Sequence, residues 1–214
     1  MTQHNVKSIL FDYGGVFTCG SRAAYVSKKL ASNHEDATAL GNFFRSNFVR
    51  QCARGEHKTE SLINEIRKVI PRLSPIEIQE ALAESCIADK NMLGLVRNLK
   101  AHYRIYLLSD SLPPYSDFIS SQYSDYFDGL FMSDAFGARK SEGLYQEAEK
   151  QIPDLYKASI YIDDRKKNLI SLSEKEGTTG IAFESYQQCL IELKSLGLEF
   201  FAEFENKHDG TITR

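Results

Sequence analysis

Four short clusters of polar residues and glycine have side chains that could together act on a phosphate group. They are the segments DYGGV at 12–16, SDS at 109–111, GARK at 137–140, and DD at 163–164 with Asn168 four residues later. A carboxylate can attack phosphorus as a nucleophile. Glycines let backbone N–H groups approach a phosphate, and hydroxyl and lysine side chains can spread its charge. Two further carboxylates would suit Mg²⁺, which prefers oxygen ligands.

The elements that must position these clusters are short apolar runs. Such runs predict β-strands at 7–13, 103–108, 129–132 and 159–162, with a weaker fifth at 179–183. Helical patterns separate the last four, and this alternation is typical of a parallel sheet that is covered on both faces. Ligands bind beyond the carboxyl ends of the strands in such sheets. We therefore predict an α/β fold in which the polar clusters meet at one edge.

The chain between the first and second predicted strands contains only amphipathic helical patterns, at 21–30, 35–52, 58–70 and 75–87. Thr59 and the pair Ser74-Pro75 are typical of helix starts. This stretch is too long for a single crossover, so we predict an inserted all-helical cap at 17–86. The predicted core domain comprises residues 1–16 and 87–200, and a C-terminal tail of 201–214 follows.

Composition limits the possible functions. The chain has 214 residues, a net charge of −3 and a hydrophobic share of 42%. It therefore has enough apolar residues for a core but no basic field for nucleic acid or anionic membrane. Its four cysteines form no CxxC pair, and we find neither a signal peptide nor a membrane span. These features predict a cytoplasmic, reduced protein.

The four clusters, in this order, resemble the motifs of the haloacid dehalogenase-like (HAD) hydrolase superfamily. The resemblance covers the first strand and then residues from about 103 to 183. The segment at 12–16 and the helical insertion are most similar to the capped phosphatase branch that includes glucose-1-phosphatase-like proteins. The resemblance implies a Rossmann-like core and a Mg²⁺-dependent phosphatase that acts on a small phosphorylated metabolite, such as a sugar phosphate.

The same resemblance implies a role for each matching residue. Asp12 would be the nucleophile, Ser109 would hydrogen-bond the phosphoryl oxygens, and Lys140 would pair with both nucleophile and phosphate. The expected substrate contacts are Gly14, Gly15, Ser109, Asp110 and Lys140. The expected metal ligands are Asp12, the Gly14 carbonyl, Asp164, and Asp163 as a second ligand or an outer-shell partner, with Asn168 orienting the acidic loop.

Three positions depart from the family's phosphatase pattern: Gly14, Asp110 where asparagine is common, and Ser141 where proline is common. Gly14 stands where an aspartate acid–base would be expected. Such a group contributes about 10²–10⁴-fold in rate, so its absence favours substrates with good leaving groups. Asp110 could donate the missing proton, although a helix cap near Pro113 is the simpler interpretation.

Three cationic residues, Arg45, Arg50 and Arg54, could steer an anion into the site, although a solvated helical face is the default interpretation. Two rival functions also stay open. One is a dehalogenase in which the same aspartate attacks carbon without a metal. The other is a non-catalytic protein of the same fold that binds a phosphorylated ligand or a protein partner. The sequence is compatible with a monomer or a homodimer.

Overall fold

The computed structural model describes residues 6–173 and 178–200, within which the chain forms a five-stranded sheet and eleven α-helices. The strands are β1 (Ser8–Phe11), β2 (Arg104–Ser109), β3 (Gly129–Met132), β4 (Ser159–Asp163) and β5 (Thr178–Ala182). Every neighbouring pair is parallel, and the order across the sheet is β3-β2-β1-β4-β5. The predicted α/β class is confirmed. Because β1 is central, the residue that follows it lies in the middle of the carboxyl edge.

The sheet is buried on both faces, which explains why its strands are continuously apolar. Ile9 and Phe11 of β1 pack into one hydrophobic cluster, whereas Leu10 between them packs into a second cluster. Side chains alternate between the two faces of a strand. Both faces of this sheet are therefore covered by helices, as the sequence pattern predicts.

Six helices lie between β1 and β2. They are α1 (Arg22–Leu30), α2 (His34–Phe43), α3 (Asn47–Cys52), α4 (Thr59–Val69), α5 (Pro75–Glu84) and α6 (Lys90–Leu99). The prediction of one helix over 35–52 is wrong, because the helix ends at Phe43 and a new one begins at Asn47. Ser46 starts α3 by accepting a hydrogen bond from the Val49 N–H at 3.4 Å.

The two predicted helix starts have different outcomes. Ser74 caps α5 as predicted, since its hydroxyl accepts from the Glu77 N–H at 3.2 Å and the Glu77 carboxylate accepts from the Ser74 N–H at 2.8 Å. Thr59, by contrast, is the first residue of α4 and not its cap. Lys58 occupies the cap position and makes no side-chain hydrogen bond there.

The second half of the chain supplies α7 (Pro113–Tyr123), α8 (Ser133–Phe136), α9 (Leu144–Glu149), α10 (Lys166–Ser173) and α11 (Tyr186–Ser195). Short 3₁₀ segments occur at Ser124–Tyr126 and Lys140–Glu142. None of the helices described here combines the length and apolar character needed to cross a membrane. The predicted tail at 201–214 lies outside the described residues.

Candidate active site

A buried lysine joins two of the predicted carboxylates. Asp12 directly follows β1, and its N–H donates to the Ile162 carbonyl at 2.8 Å. The Lys140 Nζ lies 2.8 Å from Asp12 Oδ1 and 2.8 Å from Asp163 Oδ2. Burial opposes the positive charge of Lys140, but the two carboxylates outweigh it and raise the pKa of the lysine. The structure therefore brings three of the four clusters together around one ammonium group.

Asp163 is fully buried, and hydrogen bonds occupy both of its oxygens. Oδ2 accepts from Lys140 and from the Tyr161 hydroxyl, while Oδ1 accepts from the Arg165 N–H at 2.8 Å. The Asn168 amide donates to both oxygens, at 3.1 and 2.9 Å. Burial alone would raise the pKa of Asp163, but Lys140 and the hydroxyl and amide donors hold it below its ordinary value. Through these contacts Asp163 holds Lys140 and the acidic loop at 163–168 in position.

Asp164 has a different environment from its neighbour. Among residues 6–173 and 178–200, no side chain or backbone N–H makes a hydrogen bond or ion pair with its carboxylate. Partial burial and the nearby Asp12 charge raise the pKa of Asp164. One carboxylate oxygen from each of Asp12, Asp163 and Asp164 lies within 4.8 Å of the other two. An all-oxygen donor set of this kind fits a hard divalent cation such as Mg²⁺.

Gly15 gives the Asp164 carboxylate the space that it occupies. The backbone of Gly15 has φ +84, and a Cβ built there would lie only 2.4 Å from Asp164 Oδ2. Any side chain at this position would therefore collide with the carboxylate and strain the backbone. The Gly15 N–H donates to Thr18 Oγ1 at 3.1 Å.

Ser109 ends β2 and Asp110 follows it, on the opposite side of Asp12 from the acidic loop. Ser109 is buried, and its hydroxyl makes one long hydrogen bond of 3.4 Å to the Asp110 carbonyl. The Asp110 carboxylate accepts from the Lys140 N–H at 2.8 Å and pairs with Arg139 at 3.3 Å. The interpretation of Asp110 as a helix cap is wrong, because α7 begins after Leu112 without a side-chain cap. Asp110 thus holds the segment that carries Lys140.

Arg22 is a site residue that sequence reasoning did not identify. A Cβ at Gly14 would lie 3.5 Å from Arg22 Nε, so the guanidinium covers the position where an acid–base side chain would begin. Arg22 Nη2 donates to the Asp110 carbonyl at 2.8 Å, and the guanidinium lies 4.6 Å from the Tyr115 ring centre. No sequence pattern indicated this role, because Arg22 is the first residue of α1 and lies outside the four polar clusters. Tyr161, the donor to Asp163, was missed because it lies within an apolar strand run.

A cavity of about 880 Å³ opens above Asp12. On the sheet side its walls include Asp12, Gly14, Asp110, Lys140 and Asp164, and on the other side they are formed by residues of α1, α2 and α3 with their connections. Arg45 and Arg50 line the cavity. Arg54 instead makes a bidentate ion pair with Glu142, with N–O distances of 2.8 and 2.6 Å.

Comparison with known proteins gives matches among solved structures alone. No protein-family model and no curated protein sequence matches the chain. A HAD family enzyme of Bacteroides thetaiotaomicron, in complex with magnesium and inorganic phosphate, superposes with a TM-score of 0.70 at 21% identity, covering 86% of this chain and 98% of that one. A predicted HAD-like family hydrolase from Porphyromonas gingivalis gives a TM-score of 0.63 at 17% identity, covering 89% and 98%.

A third neighbour is described as a dehalogenase. The L-2-haloacid dehalogenase of Xanthobacter autotrophicus, with chloropropionic acid covalently bound, superposes with a TM-score of 0.60 at 12% identity, covering 89% of this chain and 83% of that one. These three neighbours share one architecture with this chain. On this evidence, the chain has the fold of the HAD-like hydrolases.

Proposed function

We propose that this chain is a Mg²⁺-dependent phosphatase that hydrolyses a small phosphorylated metabolite, such as a sugar phosphate, through an aspartyl-phosphate. The observation that carries the proposal is the buried Lys140, which contacts both Asp12 and Asp163 beside the unpaired Asp164 carboxylate. The neighbour that is described in complex with magnesium and inorganic phosphate supports this assignment. The glucose-1-phosphatase-like branch stays a prediction.

Asp12 is the proposed nucleophile. One of its carboxylate oxygens forms a bond to phosphorus while the bond from phosphorus to the leaving oxygen breaks, and the leaving oxygen takes a proton from water. Water then attacks the phosphorus of the aspartyl-phosphate, releasing inorganic phosphate and restoring the Asp12 carboxylate. The proton released in this second step neutralises the hydroxide left when the leaving oxygen was protonated. Lys140 offsets the repulsion between the carboxylate and the incoming phosphate. Ser109 is the proposed donor to the phosphoryl oxygens.

Asp12 and Asp164, with the Gly14 carbonyl, would hold the metal. Asp163 serves as the outer partner in this proposal, since hydrogen bonds already occupy both of its oxygens. Bound Mg²⁺ would supply positive charge that stabilises the phosphoryl oxygens in the transition state. Helices α1–α5 form the proposed cap, which excludes bulk water from the cavity and contributes specificity.

Phosphate release from a panel of aryl, acyl, anomeric and alkyl phosphates tests the proposal. We expect turnover with Mg²⁺ that is lost in EDTA and decreases from good to poor leaving groups, because Gly14 supplies no acid. The control is Asp12→Asn, which should keep the fold and lose at least about 10³-fold in kcat. Turnover that survives either EDTA or this substitution would contradict the assignment.

Dehalogenation is the second candidate, because a dehalogenase shares the fold. In that reaction Asp12 would attack the carbon atom that carries the halogen and displace halide. This step needs no metal, so Asp163 and Asp164 would not serve as metal ligands. Measuring halide release from 2-haloacids in EDTA separates the two reactions. Metal-independent halide release without phosphate release would replace the phosphatase proposal with this one.

A further inference from the structure

The cavity above Asp12 is electrostatically asymmetric. Its acidic lining residues, Asp12, Asp110 and Asp164, all belong to the carboxyl edge of the sheet. The described residues that line it from the helical side include no acid but contribute several cations: Arg22, Lys28, Arg45 and Arg50. The helical wall therefore presents net positive charge to anything bound inside the cavity.

Arg45 and Arg50 come from one corner of the helical wall, between α2 and the end of α3. Both are exposed, which places them where the cavity meets solvent. Within the described part of the chain, neither has an acidic group within 4 Å. Arg54 in the same region differs, since it is neutralised by Glu142. Their exposure is compatible with a solvated face, but their position in the cavity lining favours the alternative that they bind an anion.

The position of Arg45 is fixed by contacts with α2. Its Nη2 donates to Asn42 Oδ1 at 3.1 Å, and a Cβ at Gly41 would lie 3.6 Å from the same nitrogen. The guanidinium therefore lies across a helical glycine that itself lines the cavity. Because the Asn42 oxygen is neutral, this hydrogen bond leaves the positive charge of Arg45 uncompensated.

The size of the cavity exceeds what a phosphate needs. Its volume of about 880 Å³ is typical of sites for whole small molecules. Small residues on the helical side keep this space open: Ala23, Ala24, Ala31, Ala37, Gly41 and Ala53. A ligand whose phosphate lies against Asp12 and Lys140 can thus extend through the cavity towards Arg45 and Arg50.

We propose that the substrate is a phosphate monoester with a second anionic group, a carboxylate or another phosphate, which Arg45 and Arg50 bind while the scissile phosphate lies at Asp12. The proposal rests on the phosphatase function and narrows its substrate class. Charge-assisted hydrogen bonds from guanidinium groups to an anion are among the stronger polar contacts in proteins.

Matched phosphonates test this subsite without requiring turnover, because their P–C bond resists hydrolysis. Isothermal titration calorimetry with Mg²⁺ would compare phosphonoacetate, 3-phosphonopropionate and 4-phosphonobutyrate with alkyl phosphonates of the same length. We expect at least one carboxylate-bearing ligand to bind about tenfold or more tightly than its alkyl partner. The Arg45→Gln/Arg50→Gln double variant should lose this preference.

The control variant is Arg104→Gln, which removes an exposed cation at the amino end of β2, away from the carboxyl edge. It should keep the preference, and circular dichroism would verify that both variants fold. Equal binding within every pair by the natural chain, or a preference that survives in the double variant, overturns the subsite. Binding of neither kind of phosphonate overturns it together with the proposed function. A preference for the second anion in a protein that turns over no phosphate ester supports the subsite and contradicts only the phosphatase activity.

Discussion

Asp163 and Asp164 are adjacent in sequence, yet their environments assign them opposite roles. Lys140, Tyr161 and Asn168 all donate to the buried Asp163, and together these donors lower its pKa. Asp164 has no such donor among the described residues, and burial and the Asp12 charge raise its pKa. Although the Asp164 side chain is exposed, its raised pKa means that its ionisation costs stability in the metal-free fold. We infer that Asp164 is kept for a ligand and not for stability.

Asp164→Asn should therefore stabilise the protein in EDTA at neutral pH while removing the stabilisation that Mg²⁺ gives. The sign follows from the pKa: a carboxyl group whose pKa is higher in the folded than in the unfolded protein costs stability once it ionises. The stability gain of the variant should thus be complete above the folded-state pKa and disappear as the pH falls below the ordinary value of 3.8. Thermal unfolding with EDTA and with Mg²⁺ across this pH range measures both effects.

Asp163→Asn is the matched control. It removes the negative charge that compensates the buried Lys140 and should destabilise the protein with or without the metal. An Asp164→Asn variant that is less stable than the natural chain in EDTA would show that this carboxylate has a structural role. A variant that keeps the full Mg²⁺ shift would show that Asp164 does not bind the metal.

At the scale of elements, Gly55 fixes the contact between the helical insertion and the sheet domain. It lies between α3 and α4 with φ +72, and a Cβ there would be 2.2 Å from the carbonyl oxygen of Asp134 in α8. The obstacle is backbone, which cannot rotate away as a side chain can. The neighbouring Arg54 ion pair with Glu142 lies at the same junction. The segment that follows α3 thus contacts the sheet domain through the Gly55 backbone and through the Arg54–Glu142 ion pair.

Gly55→Ala should destabilise the protein more than Gly20→Ala does. Gly20 has nearly the same conformation, φ +75, but a Cβ there meets nothing within 4 Å. Gly20→Ala therefore reports the strain of a left-handed alanine, about 1–2 kcal/mol. Gly55→Ala adds the displacement of α8, and we expect at least about 2 kcal/mol beyond the control. Urea unfolding measures the free energy of unfolding of the two variants. Equal losses would show that α8 shifts to accommodate the extra Cβ without a measurable cost.

The sequence predicts elements well where local periodicity decides them. All five strands and the start of α5 at Ser74-Pro75 were predicted from local patterns, and the structure contains them. The separation of α2 from α3 was missed, because the apolar pattern runs through Ser46 and a single serine can end or continue a helical stretch. Thr59 failed as a cap for a similar reason: a cap-forming residue type was present but lies one position inside the helix.

Residue roles are harder to predict because they depend on distant partners. Asp110 pairs with residues about thirty positions away, and Arg22 reaches the Asp110 carbonyl across 88 positions. No local spacing encodes either contact. Cluster order and strand ends predicted that Asp12, Lys140, Asp163 and Asp164 meet, because the geometry of a parallel sheet requires it. The sequence could not predict which of the two adjacent aspartates has its oxygens occupied.

At the scale of the molecule, one hydrophobic cluster runs through both the insertion and one face of the sheet. It contains Phe11 of β1, Leu40 of α2 and Ile66 of α4. Hydrogen bonds cross between the two parts as well, since the Tyr13 hydroxyl donates to the Cys86 carbonyl at 2.5 Å and the Asp89 N–H donates to the Phe17 carbonyl at 2.7 Å. A shared core ties the stability of each part to that of the other.

We therefore expect the insertion and the sheet to unfold together. The chain has no tryptophan, so Phe48→Trp in α3 and Phe136→Trp in α8 each create a single fluorescent reporter at a partly buried site. The two reporters should give the same urea midpoint and the same slope, and both should coincide with far-ultraviolet circular dichroism of the natural chain. Circular dichroism of each variant verifies that the substitution itself leaves the midpoint unchanged. An earlier transition at the α3 reporter would mean that the insertion opens independently, and the cavity between it and the sheet would then be a dynamic site, closed only when occupied.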